Sequence, residues 1–315
     1  MGKFRQALEE REVLILDGGL GTELEFQGYD VSGQLWSAKY LLDNPAVLQG
    51  IHELYVRAGS DIITTASYQA TLEGLKAYGL PEKQALSLLR LTVELVQKAI
   101  AQVWQDLSED ERQKRPYPLV AGSVGPYAAY LADGSEYTGA YQLTKEEYQD
   151  FHRPRIAALL EAGADLLAIE TIPNAAEAAA LVDLLAKEFP TTEAYFSFTA
   201  KNGQQLVDGT DIADLGALCQ ASPQVLALGI NCTPPAFLSS LLERLKTTSA
   251  KPLLTYPNSG EIYDGNKKTW HKDKEESQTL LSYSKLWQEK GVRLVGGCCR
   301  TRPADIAELA SYFKG

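Results

Sequence analysis

The stretch AGADLLAIE (162–170) decides the fold: a glycine precedes an unbroken apolar run, and the run ends on one acidic residue. The same construction recurs as AGSDIITT (58–65) and KGVRLVGG (290–297). Glycine there suits the left-handed cap that ends a helix just ahead of a strand. Short β-branched or leucine-rich runs fall at roughly 13–17, 61–65, 118–122, 165–169, 194–198, 225–231, 252–256 and 292–296, each followed by an amphipathic helical stretch. Strands with no polar alternation belong to parallel sheets covered on the outer face. Eight βα units in 315 residues predict an α/β fold, a single (β/α)8 TIM-type barrel forming one domain over 1–315. No linker, repeat array or low-complexity tract divides it.

The helix-to-strand turns are short, but three of the strand exits are long. Segments 18–44, 123–143 and 257–274, rich in Gly, Pro, Tyr and Asp, follow the first, third and seventh strands. Loops of that length in a compact domain usually carry function, and in a barrel all strand exits share one face.

Hydrophobic residues make up 45% of the chain and charged residues 23%, enough for a sizeable core without disulfides or metal staples. A metal, if one binds, then serves chemistry. The net charge of −11 argues against a nucleic-acid partner, which needs clustered Lys and Arg. No apolar run approaches the roughly 18 residues of a membrane span, and MGKFRQALEEREV lacks the apolar stretch of a signal peptide. The expectation is a cytoplasmic protein with no membrane partner. The chain carries four cysteines, at 219, 232, 298 and 299, too few for a disulfide scaffold and expected to stay reduced in that compartment.

Three of these cysteines sit at strand ends. GGCC places Cys298 and Cys299 directly after the eighth strand, and GINC places Cys232 at the end of the sixth. Adjacent cysteines do not readily pair with each other, and the preceding glycines let both sulfurs turn one way. A third sulfur from the same face completes a trigonal set. Three protein ligands with an open fourth position is the pattern of catalytic zinc, whereas structural sites close with a fourth ligand. Soft thiolates favour zinc or Cu(I), of which zinc needs no redox control. His52, His152 and His271 lack metal-ligand spacing. The competing reading of any single strand-end cysteine is a buried small hydrophobe, the reading given to Cys219 within ADLGALCQAS.

The chain resembles the homocysteine S-methyltransferases, in particular the short bacterial enzymes that use S-methylmethionine. The resemblance rests on LDGGLGTELE (16–25), LWSAKYL (35–41), TTASYQAT (64–71), AGSVGPY (121–127), YLADGSEY (130–137), FHRPR (151–155), GINC (229–232), TYPNSGE (255–261) and GGCCR (296–300). It implies the same barrel. It further implies that Cys232, Cys298 and Cys299 bind Zn²⁺, that Asp17 and Glu170 hold the homocysteine ammonium, and that Gly18 and Thr65 receive its carboxylate. Asp17 and Glu170 end the first and fourth expected strands, so both carboxylates face the mouth, where ordinary solvation is the alternative role. Gly18 and Gly19 permit a backbone that offers amides to an anion, although GGLG is no dinucleotide fingerprint. Asn231, beside Cys232, reads as a support or substrate contact, or as polar packing.

By family position Trp36 and Tyr68 line the donor pocket. Aromatic faces attract a sulfonium as they do quaternary ammonium, and Tyr127, Tyr130 and Tyr137, with the segment around Trp36, are lid candidates. Core packing is the alternative for each ring. The implied reaction moves a methyl group from S-methylmethionine or S-adenosylmethionine to homocysteine, forming methionine. A selenocysteine or other small-thiol acceptor is a second enzymatic reading, and noncatalytic zinc-thiolate storage or redox sensing a third. The partners expected are small molecules, in a monomer or weak homodimer.

Overall fold

The structure, a computed structural model, describes residues 2–31, 36–135, 138–139, 141–259, 262–264, 269–271 and 278–315. Eight strands form the barrel: β1 (Leu14–Ile15), β2 (Ile62–Thr64), β3 (Leu119–Val124), β4 (Leu166–Ile172), β5 (Ala194–Phe198), β6 (Val225–Asn231), β7 (Leu253–Tyr256) and β8 (Val292–Val295). Their order is β1-β8-β7-β6-β5-β4-β3-β2, every neighbour parallel, and a parallel bridge from Leu16 to Ile62 joins β1 to β2. The eight expected strands are therefore all present, and the sheet curls into the expected barrel.

The three helix-ending glycines behave as their spacing requires. Gly59, Gly163 and Gly291 have φ of 100°, 93° and 91°, in the left-handed region where a Cβ is disfavoured. A Cβ on Gly59 would also lie 2.7 Å from Ala310 Cβ of the last helix.

Side chains alternate across each strand, and the inward rows change character along the barrel axis. Toward the strand starts they are apolar: Leu14, Ala121, Leu166, Ala168, Tyr195, Leu254 and Leu294 pack together in the barrel interior. Two residues on, the same rows carry Ser123, Glu170, Ser197 and Tyr256, all buried. The apolar layers exclude water from below, and the polar layer faces the strand exits. The larger core lies outside the barrel, between strands and helices.

A helix ahead of the first strand closes the other mouth. The helix Lys3–Glu10 buries Phe4 and Leu8, and Phe4 meets Tyr195 edge-on with ring centroids 6.3 Å apart. Glu193 accepts the free amides of Phe4 and Arg5 at 3.0 and 3.2 Å, satisfying the helix start with an acidic group.

The long strand exits hold short elements: the helix Leu20–Phe26, a 3₁₀ turn Trp36–Lys39 continuing into Tyr40–Asp43, the helix Tyr127–Leu131, and an antiparallel hairpin of Ile262–Asp264 with Thr269–His271. No described helix is long and apolar enough to cross a membrane.

Candidate active site

The three strand-end cysteines converge. The Sγ atoms of Cys232, Cys298 and Cys299 all lie within 4.8 Å of one another, at the ends of β6 and β8. Two backbone hydrogen bonds hold β7 against both ends: the Cys232 amide donates to Tyr256 O at 3.2 Å, and the Cys298 amide to Pro257 O at 2.8 Å. The Thr301 hydroxyl donates to Cys298 O at 2.6 Å. Gly19 is needed beside them, since a Cβ there would stand 2.6 Å from Cys298 O. Three thiol sulfurs at this separation suit a single thiophilic cation, and a set of three leaves such an ion one position for a further ligand.

The structure joins Cys232 and Cys298 as a disulfide, with Cα atoms 5.6 Å apart and Cys299 beside them. The physical reason is the convergence itself: strand ends that bring sulfurs close enough to share a cation also bring two of them within bonding reach. As the peptide geometry requires, the pair formed is not the adjacent one. Cys219 is wholly buried and its thiol is pushed up to about 12 by burial, consistent with a packing role.

Asp17 and Glu170 face the same mouth and each has partners the sequence reading missed. One Asp17 oxygen accepts both the Thr64 amide and the Thr64 hydroxyl at 2.8 Å. Burial nevertheless drives the Asp17 carboxyl up to about 7; the Thr64 bonds oppose this and the nearby Glu170 charge adds to it. Glu170 accepts from the Ser123 hydroxyl and, at 3.1 Å, from the Tyr256 hydroxyl, which is itself bonded to Ser197. Burial raises its pKa too, against the pull of the Ser123 and Tyr256 bonds and of Arg155. Two buried acids with no neutralising side chain at hydrogen-bond distance among the described residues make a mouth that stabilises an incoming cation. The period-two pattern of β3, β5 and β7 was the signal that could have found Ser123, Ser197 and Tyr256.

Asn231 is fully buried and spends its amide on one residue. Its Oδ1 accepts the Thr171 amide at 3.0 Å and its Nδ2 donates to the Thr171 hydroxyl at 2.7 Å. Thr171 has φ of 61° and Cys232 φ of 45°, left-handed values that cost a residue with a Cβ of order 1–3 kcal/mol. Asn231 thus sits between two strained positions, fixing the residue after Glu170 and preceding a cysteine of the cluster.

Thr65 is buried with its hydroxyl engaged. It accepts the Ser123 amide at 2.9 Å and lies 2.7 Å from Ser67 Oγ, which donates to Ser123 O. Gly18 packs flat against Tyr55, whose ring would meet a Cβ at 2.8 Å. Trp36 adopts φ of 45°, and its ring covers Gly21, where a Cβ would stand 2.4 Å away. Tyr68 lies against Gly125 in the same manner, with its ring 2.7 Å from the position of a Cβ. Tyr127 and Tyr130 pack together with Phe151, at centroid distances of 4.9–5.6 Å. Tyr137, the third lid candidate, falls outside the described residues, and so does the side chain of His271.

A (β/α)8 barrel with a thiol cluster and two buried acids at its strand exits defines a class of barrel enzymes with a candidate metal site at the mouth. Similarity to known proteins narrows it. The family model described as homocysteine S-methyltransferase matches residues 14–313, and the chain belongs to that family. Homocysteine S-methyltransferase YbgG of Bacillus subtilis is 46% identical over 314 residues, covering 100% of this chain and 98% of that protein. The homocysteine S-methyltransferase of Escherichia coli is 48% identical, with 97% of each chain covered. A selenocysteine methyltransferase of Astragalus bisulcatus is 45% identical, covering 93% of this chain and 90% of that one. Among solved structures, the metallated form of the homocysteine methyltransferase MmuM from Escherichia coli aligns with TM-score 0.86 at 45% identity, covering 98% and 99% of the two chains. Its oxidized form aligns with TM-score 0.87 at 46% identity, with the same coverage.

Proposed function

We propose that this protein moves a methyl group from a sulfonium donor, S-methylmethionine or S-adenosylmethionine, to the thiol of homocysteine, with Zn²⁺ held by Cys232, Cys298 and Cys299. The observation that carries the reading is the convergence of three sulfurs within 4.8 Å at a mouth that also holds Asp17 and Glu170. When bound by three thiolates, zinc supplies the Lewis acidity that keeps a fourth, incoming thiol ionised near neutral pH.

The chain's own residues do the rest. Asp17 and Glu170 receive the homocysteine ammonium, and its charge repays the cost of ionising two buried acids. Gly18 and Thr65 border its carboxylate, Thr65 by turning its hydroxyl from Ser67. The Ser123 and Tyr256 hydroxyls orient Glu170, and Asn231 holds the backbone between Glu170 and the thiol cluster. The homocysteine thiolate attacks the donor methyl in line. A carbon–sulfur bond forms as the donor's carbon–sulfur bond breaks, and the electron pair of the broken bond neutralises the sulfonium. Both products are neutral thioethers, so charge disappears along the path and exclusion of water lowers the barrier. Trp36 and Tyr68 offer ring faces to the sulfonium.

Cys232 and Cys298 must be reduced for this chemistry, which supports the reading of a protein working in a reducing compartment such as the cytoplasm. The test is zinc analysis of the reduced protein, followed by an assay for methionine from homocysteine plus S-methylmethionine. One zinc per chain with turnover is expected, whereas zinc without turnover favours metal storage. Selenocysteine is a second acceptor to assay, because the Astragalus bisulcatus relative is a selenocysteine methyltransferase.

A further inference from the structure

The FHRPR segment (151–155) lies on the helix Lys145–Glu161, away from the strand-end cysteines, yet it buries His152 and Arg155 almost completely. With Glu177, wholly buried on the helix Ala175–Glu188, these residues form a chain of hydrogen bonds whose direction is set. Arg155 Nη2 donates to His152 Nδ1 at 2.9 Å; a guanidinium has only donors, so that nitrogen carries no proton. His152 Nε2 therefore holds the ring proton and donates it to Glu177 Oε1 at 2.7 Å.

Both ends of the chain hold strand-exit loops. Arg155 donates to Tyr68 O at 3.0 Å, just beyond β2, and to Gly125 O at 2.6 Å, just beyond β3. The two backbones approach closely: a Cβ on Gly125 would stand 2.6 Å from Tyr68 O. The buried guanidinium, bonded to both carbonyls, ties the two exits together. At the far end Glu177 accepts the Tyr127 amide at 2.6 Å and the Tyr141 hydroxyl at 2.5 Å, so one carboxylate ties down two widely separated points of the β3 exit.

We propose that Glu177, His152 and Arg155 are positioning residues that hold the β2 exit, with Tyr68, and the β3 exit, with Tyr127 and Tyr141, in one register as the wall facing the methyl donor. The proposal rests on the donor reading above. Attraction of a cation to a ring face depends on where the ring stands, and small misplacements of positioning groups cost large factors in rate. Asp17 and Glu170 take their hydrogen bonds from outside the network, Asp17 from Thr64 and Glu170 from Ser123 and Tyr256, and Arg155 reaches Glu170 only by its charge, so a change at Glu177 is expected to spare the acceptor side.

The test compares Glu177→Ala and Glu177→Gln in the zinc-loaded enzyme. In Glu177→Gln the amide oxygen still accepts from His152 and Tyr127 while its NH₂ donates to the Tyr141 oxygen. Glu177→Ala is expected to raise KM for S-methylmethionine about tenfold with KM for homocysteine within about twofold, and Glu177→Gln to restore most of the loss. Equal rises in both constants, an unmoved donor KM, or no rescue by Gln overturns the proposal. Arg155→Lys, whose point-like ammonium does not reproduce the planar fork that reaches both carbonyls and His152 at once, provides the same split should Glu177→Ala not fold. Hydrogen exchange without substrates reads the network apart from the chemistry: amides of 66–70 and 125–131 should exchange faster in Glu177→Ala, with 292–298 unchanged. Unaltered exchange in both loops refutes the positioning role, whereas a wild-type enzyme inactive with S-methylmethionine refutes the donor reading alone.

Discussion

Replacing Asp17 by Asn separates the stability of the empty site from its ability to bind. Burial raises the Asp17 carboxyl from 3.8 to about 7, and under the proposed function it is the ionised form that would receive the ammonium. That rise corresponds to about 4 kcal/mol favouring the neutral over the charged side chain. The sign follows from linkage. With the folded pKa above the unfolded one, ionised Asp17 destabilises the empty protein above pH 7, and protonation relieves this as pH falls from 7 toward 3.8. Asn keeps an oxygen for the Thr64 amide and hydroxyl but gives up their charge-assisted strength, so Asp17→Asn should stabilise the empty protein at pH 8 by about 1–3 kcal/mol net. The same change should abolish tight binding of methionine, the product, whose thioether does not titrate. In the wild type Asp17 is about nine-tenths ionised at pH 8 and about one-tenth at pH 6, so the methionine Kd should rise about tenfold between them. Calorimetric titration of the reduced, metal-loaded protein measures the binding, and urea unfolding of the empty protein measures the stability. A Kd that is flat from pH 6 to 8, or an Asp17→Asn variant less stable than wild type at pH 8, would show that Asp17 is not the ammonium receptor described.

Cys298→Ser should lose stoichiometric zinc and all turnover while keeping its far-UV circular dichroism, because Cys298 is only partly buried at the margin of the barrel core; a molten spectrum would contradict this. Asn231→Ala leaves the Thr171 amide and hydroxyl without their partner, and should cost about 2–4 kcal/mol in urea melts along with most of the activity. His52 is buried with neither ring nitrogen bonded, and burial lowers it to about 4 from 6.5. Its neutral form therefore contributes stability that is complete above pH 6.5 and is lost by roughly 3 kcal/mol as pH falls to about 4. His52→Leu should remove that slope, seen as a smaller loss of urea midpoint between pH 7 and pH 4.5 than in wild type.

Much of this was legible locally. The glycines at 59, 163 and 291 announce three strands by one backbone conformation, which only glycine adopts without strain, and β4 can be read from its apolar run to Glu170. The strand-end positions of Asp17, Glu170, Cys232 and Cys298 follow from counting along those runs, because every parallel strand of a barrel ends on one face. The sequence by itself therefore determined the barrel, its functional mouth and the residue types gathered there.

The tertiary structure alone decided how those groups are joined. Ser123, Glu170 and Tyr256 lie on three different strands, and only the stagger of the closed sheet brings their oxygens into one polar layer. The pairing of Cys232 with Cys298, in place of the neighbour Cys299, likewise depends on where β6 and β8 end around the ring. The helix Lys3–Glu10 and the Arg155 network have the same origin: a local pattern states which face of an element is apolar or charged, but which distant partner meets it is set by packing across the whole barrel.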